Sequence, residues 1–234
     1  MKITFFICAL LVATPYIVYP AVLYVWARLW PRRIDKAPIC PEATLLIAAY
    51  NEEHSIRKKI ENSLALNYPK GKLHIAIVTD GSDDGTCDII KEYEDRGVML
   101  LHDAQRRGKF AAIVRVWDSL PGQVVVLSDA NNLYNADAII EMIENFNDPK
   151  VGGVCGEKMI LDSQQDLTPV SKGEGLYWRF ERFVKSNESR FDSICGAMGE
   201  IFALRKELFE SPQKNNIVDD SLFISLHVTL KGFR

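Results

Sequence analysis

Hydrophobic and polar positions fall into two regimes along the chain. From Ile3 to Ala27 no charged residue interrupts a run rich in Leu, Val, Ile, Tyr and Phe. At ~1.5 Å per residue, a helix of this length crosses a hydrocarbon core of about 30 Å. The run therefore predicts one transmembrane helix over residues 1–30. Pro15 and Pro20 lie inside it, and membrane helices tolerate such kinks better than helices in water. Residues 31–41 hold Pro31, Pro38 and Pro41 among mixed charges and read as a linker.

From residue 42 onward, short apolar runs alternate with helical patterns. Thr44–Ala48, Leu73–Thr79, Val98–Leu101 and Val124–Ser128 read as strands, with two more near Gly153–Gly156 and Ile201–Leu204. Between them, helical periodicity covers Glu53–Leu66, Thr86–Asp95, Lys109–Ser119 and Ala136–Asn147. Strand–helix repetition at this spacing predicts right-handed crossovers and a mostly parallel sheet covered on both faces. Strands buried on both faces are continuous apolar runs, as these are. The fold class is α/β: a Rossmann-like, mostly parallel sheet with helices on both faces, preceded by one N-terminal transmembrane helix.

Composition and charge narrow the partners. A net charge of −3 gives no electrostatic footprint for a polyanion, so nucleic acid is not an expected partner. Cys8, Cys40, Cys87, Cys155 and Cys195 are scattered, with no CxxC pair or zinc-type spacing, and read as reduced thiols. Tyr24, Trp26 and Trp30 mark an aromatic belt at the end of the apolar run. Arg28, Arg32, Arg33 and Lys36 follow it, against Lys2 alone in front. This asymmetry predicts that everything after Ala27 lies in the cytoplasm. The run is too long, and its end too aromatic and basic, for a cleaved signal peptide.

Open parallel sheets bind ligands beyond the carboxyl ends of their strands. Three polar segments fall there: Tyr50-Asn51-Glu52-Glu53, Asp80-Gly81-Ser82-Asp83-Asp84-Gly85, and Asp129-Ala130-Asn131-Asn132. Asp129 and Asn131, two apart on an extended end, point the same way. Their hard oxygens suit Mg2+ or Mn2+, although the same residues also form plain turns. Asp80, at a strand end, is placed to accept a hydrogen bond from a base or ribose, whereas Asp84 or Thr86 reads as a helix cap. Arg106-Arg107-Gly108-Lys109 opens a helix and reads as an anion site or as a solvated basic turn. Asp219-Asp220 precedes an apolar helical pattern; it is an N-cap pair or supplies a general base. Tyr177-Trp178-Arg179-Phe180 with Phe183 is an amphipathic stretch for packing under the sheet or at a membrane surface. Gly196, Gly199 and Glu200 punctuate a turn that allows close approach of backbone to a ligand.

Taken in order, IAAYNEE (Ile47–Glu53), TDGSDDGT (Thr79–Thr86), RRGK (Arg106–Lys109), SDANN (Ser128–Asn132), GAMGEIFALRKELF (Gly196–Phe209) and VDDSLFI (Val218–Ile224) resemble the family 2 glycosyltransferases of the GT-A fold. The likeness is to bacterial membrane-bound polysaccharide synthases and N-acetylglucosaminyltransferase-like relatives, and it covers nearly the whole chain. The resemblance implies an inverting transferase that moves a sugar from a UDP-sugar donor to a polysaccharide or lipid-linked acceptor. It would act at the cytoplasmic face of the cell (inner) membrane. It also implies that Tyr50, Asn51 and Glu52 line the base and ribose, that Asp80 contacts the uracil, and that Lys109 lies near the donor phosphates. Asp129 and Asn131 match the family's D-x-D site for donor and metal, with Mg2+ or Mn2+ as cofactor. Asp220 matches the general base, and Gly196, Gly199, Glu200 and Asp219 fall on the acceptor side. One base without a protein nucleophile implies inversion.

Two departures stand out. Asn131 replaces the second Asp of D-x-D. The chain also ends at Gly232-Phe233-Arg234, whereas family members continue into an R-x-x-R-W or Q-x-x-R-W segment and further membrane helices. The resemblance thus implies a catalytic domain over residues 42–234 that is incomplete at its C-terminus. The alternative is a catalytically incomplete, membrane-anchored fragment that binds a nucleotide sugar or a partner. A nucleotidyltransferase is disfavoured because Tyr50-Asn51-Glu52-Glu53 stands where a glycine-rich basic loop belongs, and a dinucleotide oxidoreductase because no GxGxxG follows a strand.

Overall fold

The computed structural model describes residues 2–157, 169–194, 196–197, 199–211 and 220–234. The chain divides into two compact units. One comprises Met1–Arg33 with Glu157–Cys195, and the other Ile34–Gly156 with Gly196–Arg234.

In the first unit, helix α1 (Lys2–Ala13), a π-helical turn (Thr14–Val18) and helix α2 (Tyr19–Leu29) run on without a break. The two prolines fall at the second positions of the π turn and of α2, inside the continuous helix, where each removes one ladder amide and local π geometry accommodates the break. Thr4–Leu29, 26 residues long and containing an 18-residue stretch of mean hydropathy 2.1, is long and apolar enough to cross a membrane. Helix α7 (Pro169–Phe191) lies against it. Phe183 stacks on Tyr24 with ring centroids 6.0 Å apart, and Phe191 meets Trp26 at 5.6 Å. An ion pair between Arg32 and Asp192 at 2.7 Å closes this end. The amphipathic stretch around Tyr177–Phe183 therefore packs on the N-terminal helix within this unit.

The second unit is built on a six-stranded sheet in the order β3-β2-β1-β4-β6-β5. Strands β1 (Ala43–Ala49), β2 (Leu73–Asp80), β3 (Val98–Asp103) and β4 (Val124–Asp129) are mutually parallel. Strand β6 (Ile201–Arg205) runs antiparallel to β4, and β5 (Gly153–Cys155) antiparallel to β6. Side chains alternate between two faces, as the pleat requires. Leu45, Ile47, Ile75, Ile77 and Val126 pack on one face against helices α3 (Ile56–Leu64), α4 (Thr86–Lys91) and α6 (Ala138–Ile143). Leu46, Val78, Val125 and Phe202 pack on the other against α5 (Lys109–Val116) and Ile224 of α8 (Asp220–Leu230). The mostly parallel sheet with helices on both faces is thus present.

Several expected helices are shorter because their last turns tighten into 3₁₀ geometry at Glu94–Arg96, Trp117–Ser119 and Glu144–Asn147. Residues 34–41 of the expected linker belong to the sheet unit. Ile34 and Ile39 join its core, and the Tyr68 hydroxyl donates to the Pro41 carbonyl at 2.7 Å.

Candidate active site

The strand order reverses at β1. The chain steps outward through β2 and β3, then returns to place β4 on the other side of β1. Such a reversal leaves a crevice at the carboxyl ends of the two central strands. Asp129 closes β4 there, level with Ala48 of β1, and Tyr50 follows one residue past β1.

The loops after β1 and β2 are joined side chain to backbone. Asn51 has φ 52°, a left-handed conformation that Asn accepts because its amide can bond locally. Its Nδ2 donates to Asp83 Oδ1 at 2.6 Å, and the Asp83 amide returns a bond to Asn51 Oδ1 at 3.1 Å. The Glu52 amide donates to the Thr86 hydroxyl at 2.8 Å, and the Glu52 carboxylate accepts from the Ser55 hydroxyl. Asp84 accepts from the amides of Thr86 at 3.0 Å and Glu53 at 3.1 Å, so it ties the turn before α4, whose N-cap residue is Gly85, to the loop after β1. Partial burial opposes ionisation of Asp84, but bonds from Thr86 and Glu53 outweigh it and hold the carboxyl below its usual range. Asp83 and Asp84 are in this way compensated by the loops themselves.

Asp80 is 6% exposed and clamps the next loop. Both of its oxygens accept the Arg107 amide at 3.0 Å, and Oδ2 also accepts the Gly108 amide at 2.6 Å. The clamp brings the loop backbone close to Gly81. At φ 70°, a side chain on Gly81 would place its first carbon 2.8 Å from the Arg106 nitrogen. The Arg106 guanidinium in turn lies 3.7 Å over the Tyr50 ring. Tyr50 and Arg106 thus form a cation–π lid on the rim of the crevice. Sequence reasoning did not pair them.

Lys109 opens α5, and its ammonium pairs with Asp129 Oδ1, the two side chains being 42% and 30% exposed. Asn131 is exposed two residues on. Asp129 and Lys109, separate motifs in the sequence, are therefore one contact.

Beneath this loop lies a buried polar group that sequence reasoning missed. Lys59 of α3 is 0% exposed. Its Nζ donates to the Asn132 carbonyl at 2.7 Å and sits 3.7 Å over the Tyr134 ring. Burial pushes its amine down to about 7, against the attraction of Asp129. The Tyr134 hydroxyl bonds the Ser128 hydroxyl at 2.6 Å and the Glu200 carbonyl at 2.9 Å, and burial pushes its ionisation up. The one available signal was a lysine on the α3 face shared by Ile56, Ile60 and Ser63.

On the far side of β4, the turn at Gly196–Glu200 meets the start of α8. A side chain on Gly199 would come 3.5 Å from Ser221, and the Ala197 amide donates to the Ser225 hydroxyl at 3.3 Å. Asp220 is the first residue of α8, so this turn and that helix end are neighbours. Asp219 lies outside the described residues. The Tyr134–Glu200 bond links this side to the Asp129 loop.

Among the described residues no three His, Cys, Asp or Glu side chains gather as a metal cage. Asp129 and Asn131 offer one carboxylate and one amide oxygen. That set fits Mg2+ or Mn2+, which takes most of its coordination from water and phosphate, and does not fit an all-protein site.

Comparison with known proteins agrees with this geometry. The family model described as Glycosyl transferase family 2 matches residues 44–211. A poly-beta-1,6-N-acetyl-D-glucosamine synthase of Staphylococcus aureus (strain COL) is 30% identical over 203 residues, covering 82% of this chain and 46% of that protein. The probable glycosyltransferase YdaM of Bacillus subtilis (strain 168) is 28% identical over 177 residues, covering 73% and 42%. The chain thus spans about half the length of the curated relatives it matches. Among solved structures, the mannosyltransferase PcManGT from Pyrobaculum calidifontis in complex with GDP-Man and Mn2+ aligns with a TM-score of 0.77 at 23% identity. The alignment covers 97% of this chain and 64% of that one, and identifies the fold as GT-A-like. A family match that begins in β1 and runs past β6 takes in all six strands and the loops at their carboxyl ends, and the chain belongs to glycosyltransferase family 2.

Proposed function

We propose that this chain transfers a sugar, with inversion, from a UDP-sugar to a polysaccharide or lipid-linked acceptor at the cytoplasmic face of a membrane. The observation that carries the reading is the Asp129–Lys109 pair at the point where the strand order reverses. A carboxylate and an ammonium side by side can hold the two halves of a metal–diphosphate group. Lys109, at a helix start, is suited to the phosphate oxygens. Asp129 and Asn131 are the residues that would hold Mg2+ or Mn2+. The metal would neutralise charge on the departing nucleoside diphosphate. Tyr50 with Arg106 over it offers a flat, cationic surface to a base, and Asn51 and Glu52 border it. Asp80 supports this arrangement by holding the Arg107–Gly108 loop, and its place beside the base is part of the same proposal. Asp220 is assigned as the base that takes the acceptor hydroxyl proton, with Gly196, Gly199, Glu200 and Asp219 on the acceptor side.

The relative named as a poly-beta-1,6-N-acetyl-D-glucosamine synthase supports an amino-sugar donor and a polymeric product. The apolar Thr4–Leu29 helix, followed by Arg32, Arg33 and Lys36, supports a membrane anchor with the sheet unit in the cytoplasm. The test is a panel of UDP-sugars with Mn2+ or Mg2+ on membranes carrying the chain. One donor is expected to release UDP in a metal-dependent way. Asp220→Asn should lose transfer and keep donor binding. Failure of every donor to bind would overturn the assignment.

A further inference from the structure

We propose that Lys59 is a positioning residue for the metal- and phosphate-binding loop, holding the Asn132 carbonyl so that Asp129 and Asn131 present their oxygens together. The inference rests on the reading of that loop as the donor site. Lys59 is wholly buried, and its helix face is otherwise Ile56, Ile60 and Ser63. Packing alone would favour an apolar residue of similar volume, because taking an amine out of water is costly and such replacements often stabilise a protein. What the amine does is donate to Asn132 at 2.7 Å, 73 residues away, in the loop that follows Asp129.

The loop has a second mark of being held in place. The Asn132 side-chain nitrogen is buried without a hydrogen-bond partner, the one such side-chain atom among the described residues. A buried donor left unmet favours some other arrangement of the loop. Lys59 opposes that from below, and the Tyr134 ring under its Nζ fixes the amine's position. Tyr134 also reaches the Glu200 carbonyl at 2.9 Å, so the same strut ties the donor loop to the turn preceding β6. Residues that orient ligands from behind typically change metal affinity roughly 10- to 100-fold when removed.

The experiment compares the detergent-solubilised chain with its Lys59→Met and Lys59→Gln variants. Calorimetric titration of UDP in the presence of Mn2+ reads the site, and thermal unfolding reads the fold. Lys59→Met is expected to unfold at or above the wild-type temperature and to bind UDP·Mn2+ roughly 10- to 100-fold more weakly. Equal affinity in wild type and Lys59→Met would overturn the proposal and leave the donor-site reading standing. Loss of the folded domain in both variants would also overturn it, by making Lys59 a structural residue. Absence of binding in wild type to UDP, GDP, ADP and CDP alike would instead remove the donor-site reading itself, and the proposal with it.

Discussion

Replacing Asp80 by Asn tests whether the crevice is organised by a buried carboxylate. The change keeps the side-chain shape and removes the charge and one acceptor. In the wild type, the Arg107 amide reaches both oxygens at 3.0 Å and the Gly108 amide reaches Oδ2 at 2.6 Å. Hydrogen bonds to a charged group contribute about 1.5–3 kcal/mol each, and a buried donor left unmatched costs about 1–3 kcal/mol. With the Asn oxygen in the place of Oδ2, both amides keep an acceptor but lose a charged one, and the NH2 in the place of Oδ1 is turned against the Arg107 N–H. The expected loss is about 2–4 kcal/mol, and more for Asp80→Ala, which leaves both amides unmet. Urea unfolding of the detergent-solubilised chain reads the global term. Hydrogen exchange at the Arg107 and Gly108 amides reads the local one, and both should exchange faster. Because Gly108 precedes Lys109, loosening the loop should also weaken nucleotide binding. A variant within about 0.5 kcal/mol of wild type, with both amides still protected, would refute the clamp.

Two further outcomes follow from the same crevice. Gly81→Ala should cost more than Gly97→Ala in thermal unfolding, although both glycines have positive φ. Only at Gly81 would the new carbon meet backbone, 2.8 Å from the Arg106 nitrogen, whereas nothing lies within 4 Å of Gly97. The shared left-handed penalty is about 1–2 kcal/mol, and equal losses would mean the Arg106 loop yields freely. Lys59 should make stability rise with pH. Its amine is pushed down to about 7 from 10.5, so between those values the unfolded chain binds the extra proton and unfolding becomes less favourable as pH increases. The slope is about 1.4 kcal/mol per pH unit at most, and Lys59→Met should remove it from the urea midpoints. Matching slopes in the two proteins would show the amine is not buried in solution.

Local chemistry made much of the fold legible. Val124–Ser128 is a continuous apolar run and forms β4 with one residue added, Asp129. The run Leu73–Thr79 likewise forms β2 with Asp80 added. Each strand thus ends on the acidic residue that was singled out. Helix ends were less legible, because final 3₁₀ turns of three or four residues are too short for their 3.0-residue period to be told from the 3.6 of an α-helix. The grouping of residues 157–195 with the N-terminal helix was not legible either, since the aromatic face of α7 suits any apolar surface.

What the sequence determined by itself was the set of elements, their parallel core and the polar loops at their carboxyl ends. These follow from periodicity and turn chemistry that act over a few residues. Only the tertiary structure decided that β6 inserts antiparallel between β4 and β5, that Asp80 clamps the Arg107–Gly108 loop, and that Lys59 reaches Asn132. Those contacts join residues tens of positions apart. Their partners are selected by how the helices pack on the finished sheet, which no local pattern of side chains records.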